Sequence, residues 1–275
     1  MNSNANQRIS KQQLREIAGQ LIERDEAILN TLRDFRYHTS GQLQRCYFTD
    51  SASGPAATRA ANRNLRRLEN LGLVTTLKRR IGGVRAGSAA YVWTLTPTGH
   101  RLLELTSGSS KHCRKRHHES SYVFLQHTLA IAEVSICLAE LTAKHRLAIN
   151  ELQVEPACWR QFVGTSGVTA TLRPDLFAIT SNRHYEDHWF IEVDLDTESP
   201  AVVVRKCEQY VAYYHSGTEQ EASGVFPKVV WLVPDGKRQA TLTAHIARQL
   251  KDCQQLFVVI TMDELESLLV KGEVA

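Results

Sequence analysis

Residues 172–214 read LRPDLFAIT (172–180), SNRHYEDH (181–188), WFIEVDLDTE (189–198) and SPAVVVRKCEQYVAYY (199–214). The short apolar run Leu176 to Ile179, opened by Pro174-Asp175, predicts a strand, and WFIEVD predicts a second one after a polar turn. Side chains alternate along a strand, so Glu192 and Asp194 share one face and Ile191 and Val193 the other. Pairing of the two strands as a hairpin brings Asp175 close to Glu192. Carboxylates drawn together repel unless a cation sits between them, and hard oxygen donors of this kind suit Mg²⁺ or Mn²⁺. A solvated acidic strand end would carry the same residues, but the next element argues against it. Ser199-Pro200 has the form of an N-cap followed by proline at the first helical position. A helix from Pro200 to about His215 then lines up Lys206, Tyr210 and Tyr213 or Tyr214 on one face. That places a cation beside the carboxylates.

Around this core, residues 121–275 read as one domain. Ser121 to about His145 predicts a long helix, with Val123, His127, Ala130, Ile131, Val134, Cys137, Leu138 and Leu141 on its buried face. His127 in that stripe is a core histidine or an accessory to the site. Glu133 borders the stripe and is the other accessory candidate. ELQVEPACW, the two acidic strands, the Pro200 helix, the strand KVVWLVP, a helix from Lys237 to about Asp252, the strand LFVVIT and a closing helix MDELESLLV follow. The order α-β-β-β-α-β-α-β predicts a mixed sheet flanked by helices, an α/β (α+β) domain.

The formal net charge of +4 conceals an asymmetry. Residues 1–119 hold 20 Lys+Arg against 9 Asp+Glu, a balance of +11, while residues 120–275 hold 13 against 20, a balance of −7. A basic first part joined to an acidic second part suggests a nucleic-acid-binding module carrying another domain. The hydrophobic content of 43% is that of an ordinary globular chain. No apolar run approaches the roughly 20 residues that span a bilayer, and MNSNANQRISKQQ lacks a signal-peptide core. Cysteines 46, 113, 137, 158, 207 and 253 form no CxxC pair, which fits reduced thiols in a cytoplasm. No phosphate loop or glycine-rich dinucleotide signature supports a ligase or transferase acting on small molecules.

Residues 1–105 read as the basic module. After a lead-in helix to about residue 22, DEAILNTLRDF carries Ile28, Leu29, Leu32 and Phe35 at helical spacing, and Thr39 and Ser40 cap a helix from Gly41 to Phe48. A third helix, Ala56 to Leu71, keeps Ala57, Ala61, Leu65, Leu68 and Leu71 on one side. Arg59, Arg63, Arg66, Arg67 and Asn70 fall on the other. LVTTLKRR and AYVWTLT predict strands joined by a glycine-rich turn, which places Lys78, Arg79, Arg80 and Arg85 in a second basic cluster. Residues 106–120 are polar, basic and rich in small residues, and read as a linker. His112, Cys113, His117 and His118 there match no zinc-ligand spacing.

Three helices followed by a β-hairpin resemble a winged helix-turn-helix, and YVWTLTPTGHRLL is similar to the Y-x-L-T-x-x-G ending of winged-helix regulators. That resemblance implies duplex DNA as partner, with the third helix in the major groove, its arginines near bases, and wing cations on phosphates. The second domain resembles the PD-(D/E)xK nuclease superfamily at Pro174, Asp175 and Glu192. More narrowly, the winged helix followed by HTLAIAEV, RPDLFAI, FIEVDLDTES and KCEQYVAYY resembles the replication-relaxation family, from about Asp25 to Pro234. That family is tied to plasmid replication and mobilisation and is related to MOBC-class relaxases. The implied activity is a Mg²⁺- or Mn²⁺-dependent, site-specific DNA nickase. Asp175 and Glu192 would be its metal ligands, Asp194 a third ligand or an orienter, and Tyr210 an alternative to water as nucleophile. Implied partners are other plasmid replication or mobilisation proteins, and a palindromic site would imply a homodimer. The sequence departs from the superfamily where a lysine would stand two residues after Glu192; Asp194 occupies that position, and Lys206 of the next helix is the replacement candidate. Without such a replacement, the chain reads as a winged-helix transcriptional regulator whose degenerate nuclease-like domain dimerises or senses.

Overall fold

A computed structural model describes residues 9–50, 52–77, 91–107, 121–164 and 167–271. It forms two compact units, Met1–Ala132 and Glu133–Ala275. The first begins with α1 (Lys11–Ala18), α2 (Glu23–Phe35), a two-residue strand β1 (His38–Thr39), α3 (Ser40–Tyr47) and α4 (Gly54–Asn70). It continues with β2 (Val74–Thr76), β3 (Val92–Leu95) and α5 (Pro97–Ser107). Thr39 caps α3 by accepting from Gln42 N, and Gln42 Oε1 accepts from Thr39 N in return, a reciprocal capping box. Ser53 caps α4, with Pro55 in its first turn. Ala57, Ala61, Leu65 and Leu68 of α4 are buried with Ile28, Leu29 and Leu32 of α2, as their spacing predicts. The strands form an antiparallel sheet in the order β1-β3-β2. Helices α2, α3 and α4 followed by the antiparallel pair β2 and β3 keep the order expected of a winged helix. Residues 78–90, which carry Lys78, Arg79, Arg80 and Arg85, lie outside the described residues, as do residues 108–120 of the linker.

Asp25 is fully buried in this first core, a position the apolar periodicity of α2 does not announce. Its carboxylate accepts from Ile22 N (2.9 Å) and Asn64 Nδ2 (2.7 Å) and pairs with the Arg67 guanidinium. Burial works to raise its pKa, but these donors outweigh it and hold the carboxyl below its ordinary value. At the end of β3, Thr96 Oγ1 donates to the Gly72 carbonyl and accepts from Gly99 N at 3.1 Å. A Cβ on Gly99 would fall inside van der Waals contact of the Leu73 carbonyl oxygen and 3.1 Å from Leu95 Cδ2. The glycine of the T-x-x-G ending is therefore where α5 crosses close over backbone.

Helix α6 (Tyr122–His145) runs from the first unit into the second. Its 24 residues are long and apolar enough, by length and composition alone, to cross a membrane. This corrects the expectation that no apolar run approaches that length. Leu125, Leu129, Ile131, Ala132, Val134, Ile136 and Leu138 are buried in protein, whereas Val123 is exposed. The predicted buried stripe was misphased there, because a helix apolar nearly all round has no sharply defined wet face.

The second unit adds β4 (Ala148–Val154), β5 (Arg160–Val163), β6 (Thr169–Leu172), β7 (Leu176–Ser181), β8 (Glu186–Val193) and α7 (Pro200–Ser216). It closes with α8 (Thr218–Ser223), β9 (Lys228–Val233), α9 (Gly236–Gln249), β10 (Phe257–Thr261) and α10 (Leu265–Lys271). A mixed five-stranded sheet has the order β10-β9-β8-β7-β4. β7 and β8 are the expected antiparallel hairpin, β4 lies antiparallel on the edge, and β8, β9 and β10 run parallel. Phe177, Phe190, Val229, Trp231 and Val259 pack with Val203, Cys207 and Tyr210 of α7 and Leu242 and Ile246 of α9. Ile191, Val230, Leu232 and Ile260 are buried as well, so the central strands are dry on both faces, as parallel strands commonly are. The β5–β6 ribbon and α8 are additions to the expected order. We expect Gly99→Ala to destabilise the first unit by about 1–3 kcal/mol through overpacking, read as a lower urea midpoint with an unchanged m-value.

Candidate functional site

Asp175 stands at the start of β7 and Glu192 one residue before the end of β8. The hairpin register pairs Leu176 with Ile191, so the next position sets Asp175 across from Glu192. Asp175 is 8% exposed and Glu192 1%. Asp175 Oδ2 accepts from Val193 N at 2.8 Å, which ties it to the partner strand. On α7, Lys206 and Tyr210 lie one turn apart and both reach Glu192. Lys206 Nζ donates to Oε2 at 2.5 Å and the Tyr210 hydroxyl to Oε1 at 2.5 Å. The helix begins at Pro200, and the backbone N–H groups of Val202 and Val203 bond back to the Ser199 carbonyl. Its far end closes on Gly217 with φ +71°, a left-handed position suited to glycine. Lys206 Nζ also lies 6.0 Å from the Trp231 ring centroid, and Trp231 is the β9 residue paired with Glu192. Strand, helix and neighbouring strand thus converge on one carboxylate.

The electrostatics follow from this burial. Desolvation pushes the Glu192 carboxyl up to about 8; Lys206 and the Tyr210 hydroxyl oppose the shift and Asp175 adds to it. For Lys206, burial works against the charge, but the Glu192 and Asp175 carboxylates outweigh it and raise its pKa further. Lys206 therefore keeps its proton, and the carboxyl is the member of the pair that titrates near neutrality. Tyr210 is fully buried and its pKa lies well above the ordinary phenol value, chiefly through desolvation. It is a donor to Glu192 here, with no surface from which to attack a phosphodiester. Burial also pushes the Cys158 and Cys207 thiols to about 12, which makes them inert packing groups.

Asp194 goes elsewhere. Its Oδ2 accepts from Arg238 Nε at 2.6 Å and its Oδ1 from Asp196 N at 2.8 Å. Arg238 also donates to the Glu198 carbonyl at 2.7 Å and lies 2.9 Å from the Asp196 carboxylate. Asp194 therefore anchors the loop from β8 to α7. Asp196, at φ +57°, supplies the left-handed turn in it. Arg238 itself was missed in the sequence, although the signal was present. Asp235 caps α9, and β8 and β9 are parallel, so the first turn of α9 and the end of β8 lie at the same edge of the sheet. Of the accessory candidates, Glu133 is half-buried and accepts from the Cys137 thiol at 3.8 Å, while His127 is half-buried on the first unit's part of α6.

Among the described residues, no group of three or more His, Cys, Asp or Glu side chains is arranged to hold a metal ion. Mg²⁺ usually takes only one or two carboxylates and fills the rest of its shell with water and substrate phosphates. Asp175 and Glu192 are a pair of that donor type, although both Glu192 oxygens already accept from Lys206 and Tyr210. Asp194, with both oxygens committed to the loop, does not extend it.

The four arginines of α4 divide. Arg59 and Arg63 are exposed and make no ion pair with any described residue. Arg66 pairs with Glu69 at 2.6 Å and lies 5.2 Å and 5.8 Å from the Tyr91 and Trp93 ring centroids. Arg67 is bound to buried Asp25.

Residues 29–229 match the family model described as replication-relaxation. The chain belongs to the replication-relaxation family. The match takes in most of the first unit and, in the second, Asp175, Glu192, Asp194, Lys206 and Tyr210. Membership supports a role in the replication of a plasmid or mobile element. No curated protein and no solved structure matches this replication-relaxation chain significantly.

The raised pKa of Glu192 has a sign that can be checked. Below about pH 4.5 the carboxyl is protonated whether folded or not. Between there and about pH 8 the unfolded chain releases a proton that the folded chain keeps. Stability contributed by this group therefore falls as pH rises across that window. We expect Glu192→Gln to flatten the fall in urea midpoint between pH 5 and pH 8, measured on the second unit's transition.

Proposed function

We propose that this protein is a metal-dependent, site-specific DNA nickase of the relaxase kind, acting in the cytoplasm on a plasmid or mobile element during replication or mobilisation. The observation that carries the proposal is the convergence of Asp175, Glu192 and Lys206, which lie far apart in sequence, on one end of a β-hairpin and the helix after it. This supports the likeness to PD-(D/E)xK nucleases, with the lysine supplied from α7 instead of from the strand position that Asp194 holds. Asp175 and Glu192 would hold Mg²⁺ or Mn²⁺. Such an ion, when bound, activates water and offsets charge on a phosphodiester. Lys206 supplies a permanent cation where negative charge develops. Tyr210 orients Glu192, and Arg238 fixes the loop through Asp194. In the first unit, exposed Arg59 and Arg63 are suited to reach into the major groove, Arg66 to lend a partly engaged charge, and Arg67 to steady α4 through Asp25.

A second reading has its own observation. Both Glu192 oxygens are already bonded, and the residue is almost fully buried, as a charge-balanced site kept for structure would be. In that case the chain is a winged-helix regulator whose second unit dimerises or senses.

Nicking of supercoiled plasmid carrying the element's own origin, with Mn²⁺ and with EDTA, separates the two. We expect metal-dependent nicking that drops at least about a hundredfold in Asp175→Ala, Glu192→Gln and Lys206→Met, a loss of the size seen when transition-state charge stabilisation is removed. Tight binding without nicking in the wild type would favour the regulator. Independently, the double variant Arg59→Ala, Arg63→Ala should weaken duplex binding and reduce the slope of log affinity against log salt by about 2; an unchanged slope would remove α4 from the interface.

A further inference from the structure

We propose that Trp159 and Arg173 form a stacking platform for an unpaired nucleotide beside the carboxylate pair, so that the site takes single-stranded or locally melted DNA; this rests on the nuclease reading above. The two residues face each other at the base of the β5–β6 ribbon. The ribbon register pairs Arg160 with Leu172, and the next position outward sets Trp159 against Arg173. The Arg173 guanidinium lies 4.9 Å from the Trp159 ring centroid, and both side chains are exposed, Trp159 to 37%. The other three tryptophans, Trp93, Trp189 and Trp231, are 1%, 4% and 3% exposed. Trp159 is thus the one tryptophan of the chain whose ring is left in water, and it carries a guanidinium beside it.

The platform is held to the site by short covalent and hydrogen-bonded links. Only Pro174 separates Arg173 from Asp175, and consecutive Cα atoms are about 3.8 Å apart. On the other strand, Cys158 precedes Trp159, and its thiol donates to the Pro174 carbonyl at 3.0 Å. Glu155 N also donates to the Asp175 carbonyl, at 3.4 Å. An aromatic face with an adjacent guanidinium matches a nucleotide, the indole taking the base and the cation its phosphate. Within a duplex, both faces of each base are already stacked on neighbours. Only an unpaired or extruded base offers a free face to Trp159.

Trp159 is the accessible fluorophore, so acrylamide quenching reports it with little background. The test titrates the full chain with short oligothymidylate in EDTA, in wild type and Glu192→Gln, so that binding is read without turnover. Oligothymidylate should shield Trp159 from acrylamide in both proteins. Trp159→Ala should weaken single-strand affinity about tenfold, within the range for one stacked base, and leave duplex affinity unchanged. Trp159→Phe should keep most of the single-strand affinity, and Arg173→Gln should lower it together with its salt slope. Unshielded Trp159, or a Trp159→Ala variant that binds single strands as the wild type does, would overturn the platform. An equal loss of single-strand and duplex affinity would overturn it too. None of these results bears on whether the plasmid is nicked, so the platform and the nuclease can fail separately.

Discussion

A carboxylate at the centre of a mixed sheet is costly unless donors reach it, and Glu192 is 1% exposed. Two donors from one helix offset part of that cost. Lys206 and Tyr210 stand four residues apart, so both fall on the same face of α7, and each takes one oxygen of Glu192. This constraint sets much else in the unit. Helix α7 must cross the sheet with that face over β8, which places Val203 and Cys207 into the core beside Trp231. It must also start immediately after a tight loop, and the loop is held by Arg238 through Asp194, Asp196 and the Glu198 carbonyl. Removing one member of such a network leaves a buried charge uncompensated, which costs far more than the pair itself contributes.

The first unit follows the same logic with different residues. Asp25 is buried, and its two oxygens are met by Ile22 N, Asn64 and Arg67. This joins the start of α2 to the middle of α4. Arg67 is thereby spent on the fold, while Arg59 and Arg63 remain exposed on the same helix. A run of arginines on one arc thus serves two ends at once, and geometry alone separates them. The Thr96–Gly99 turn plays the matching part at the other side, because Thr96 satisfies the Gly72 carbonyl and the absence of a Cβ on Gly99 lets α5 cross Leu73.

Much of this was legible in the sequence. The hairpin, the Ser199-Pro200 start and the four-residue spacing of Lys206 and Tyr210 are local signals, and each points to the element found. The α4 stripe was equally plain, since its small and leucine residues recur with a helical period against polar neighbours. What the sequence hid was non-local or lacked contrast. Arg238 meets Asp194 across 44 positions, and only the parallel pairing of β8 with β9 brings them together. Asp25 looks like an ordinary first-turn acid until its burial is known. Helix α6 is apolar on nearly every side, so its buried face could not be phased. The β5–β6 ribbon offers only short mixed runs, four residues each, too brief for periodicity to register.

The position of the lysine follows from the same geometry. On a strand, the residue two after Glu192 projects to the same face and could serve the same pair of carboxylates. In this chain that residue is Asp194, already past the end of β8, where it is more useful to the loop than to the site. Lys206 reaches Glu192 from above the sheet instead, and the Trp231 ring beneath it gives the ammonium an aromatic surface to rest on. The cation beside Glu192 therefore comes from the helix, and the strand end binds Arg238. The two contacts belong together, because an acid at position 194 without Arg238 would add a third negative charge to a nearly dry site. Asp194 and Lys206 are thus two parts of one charge arrangement, the acid met by Arg238 and the lysine by Glu192.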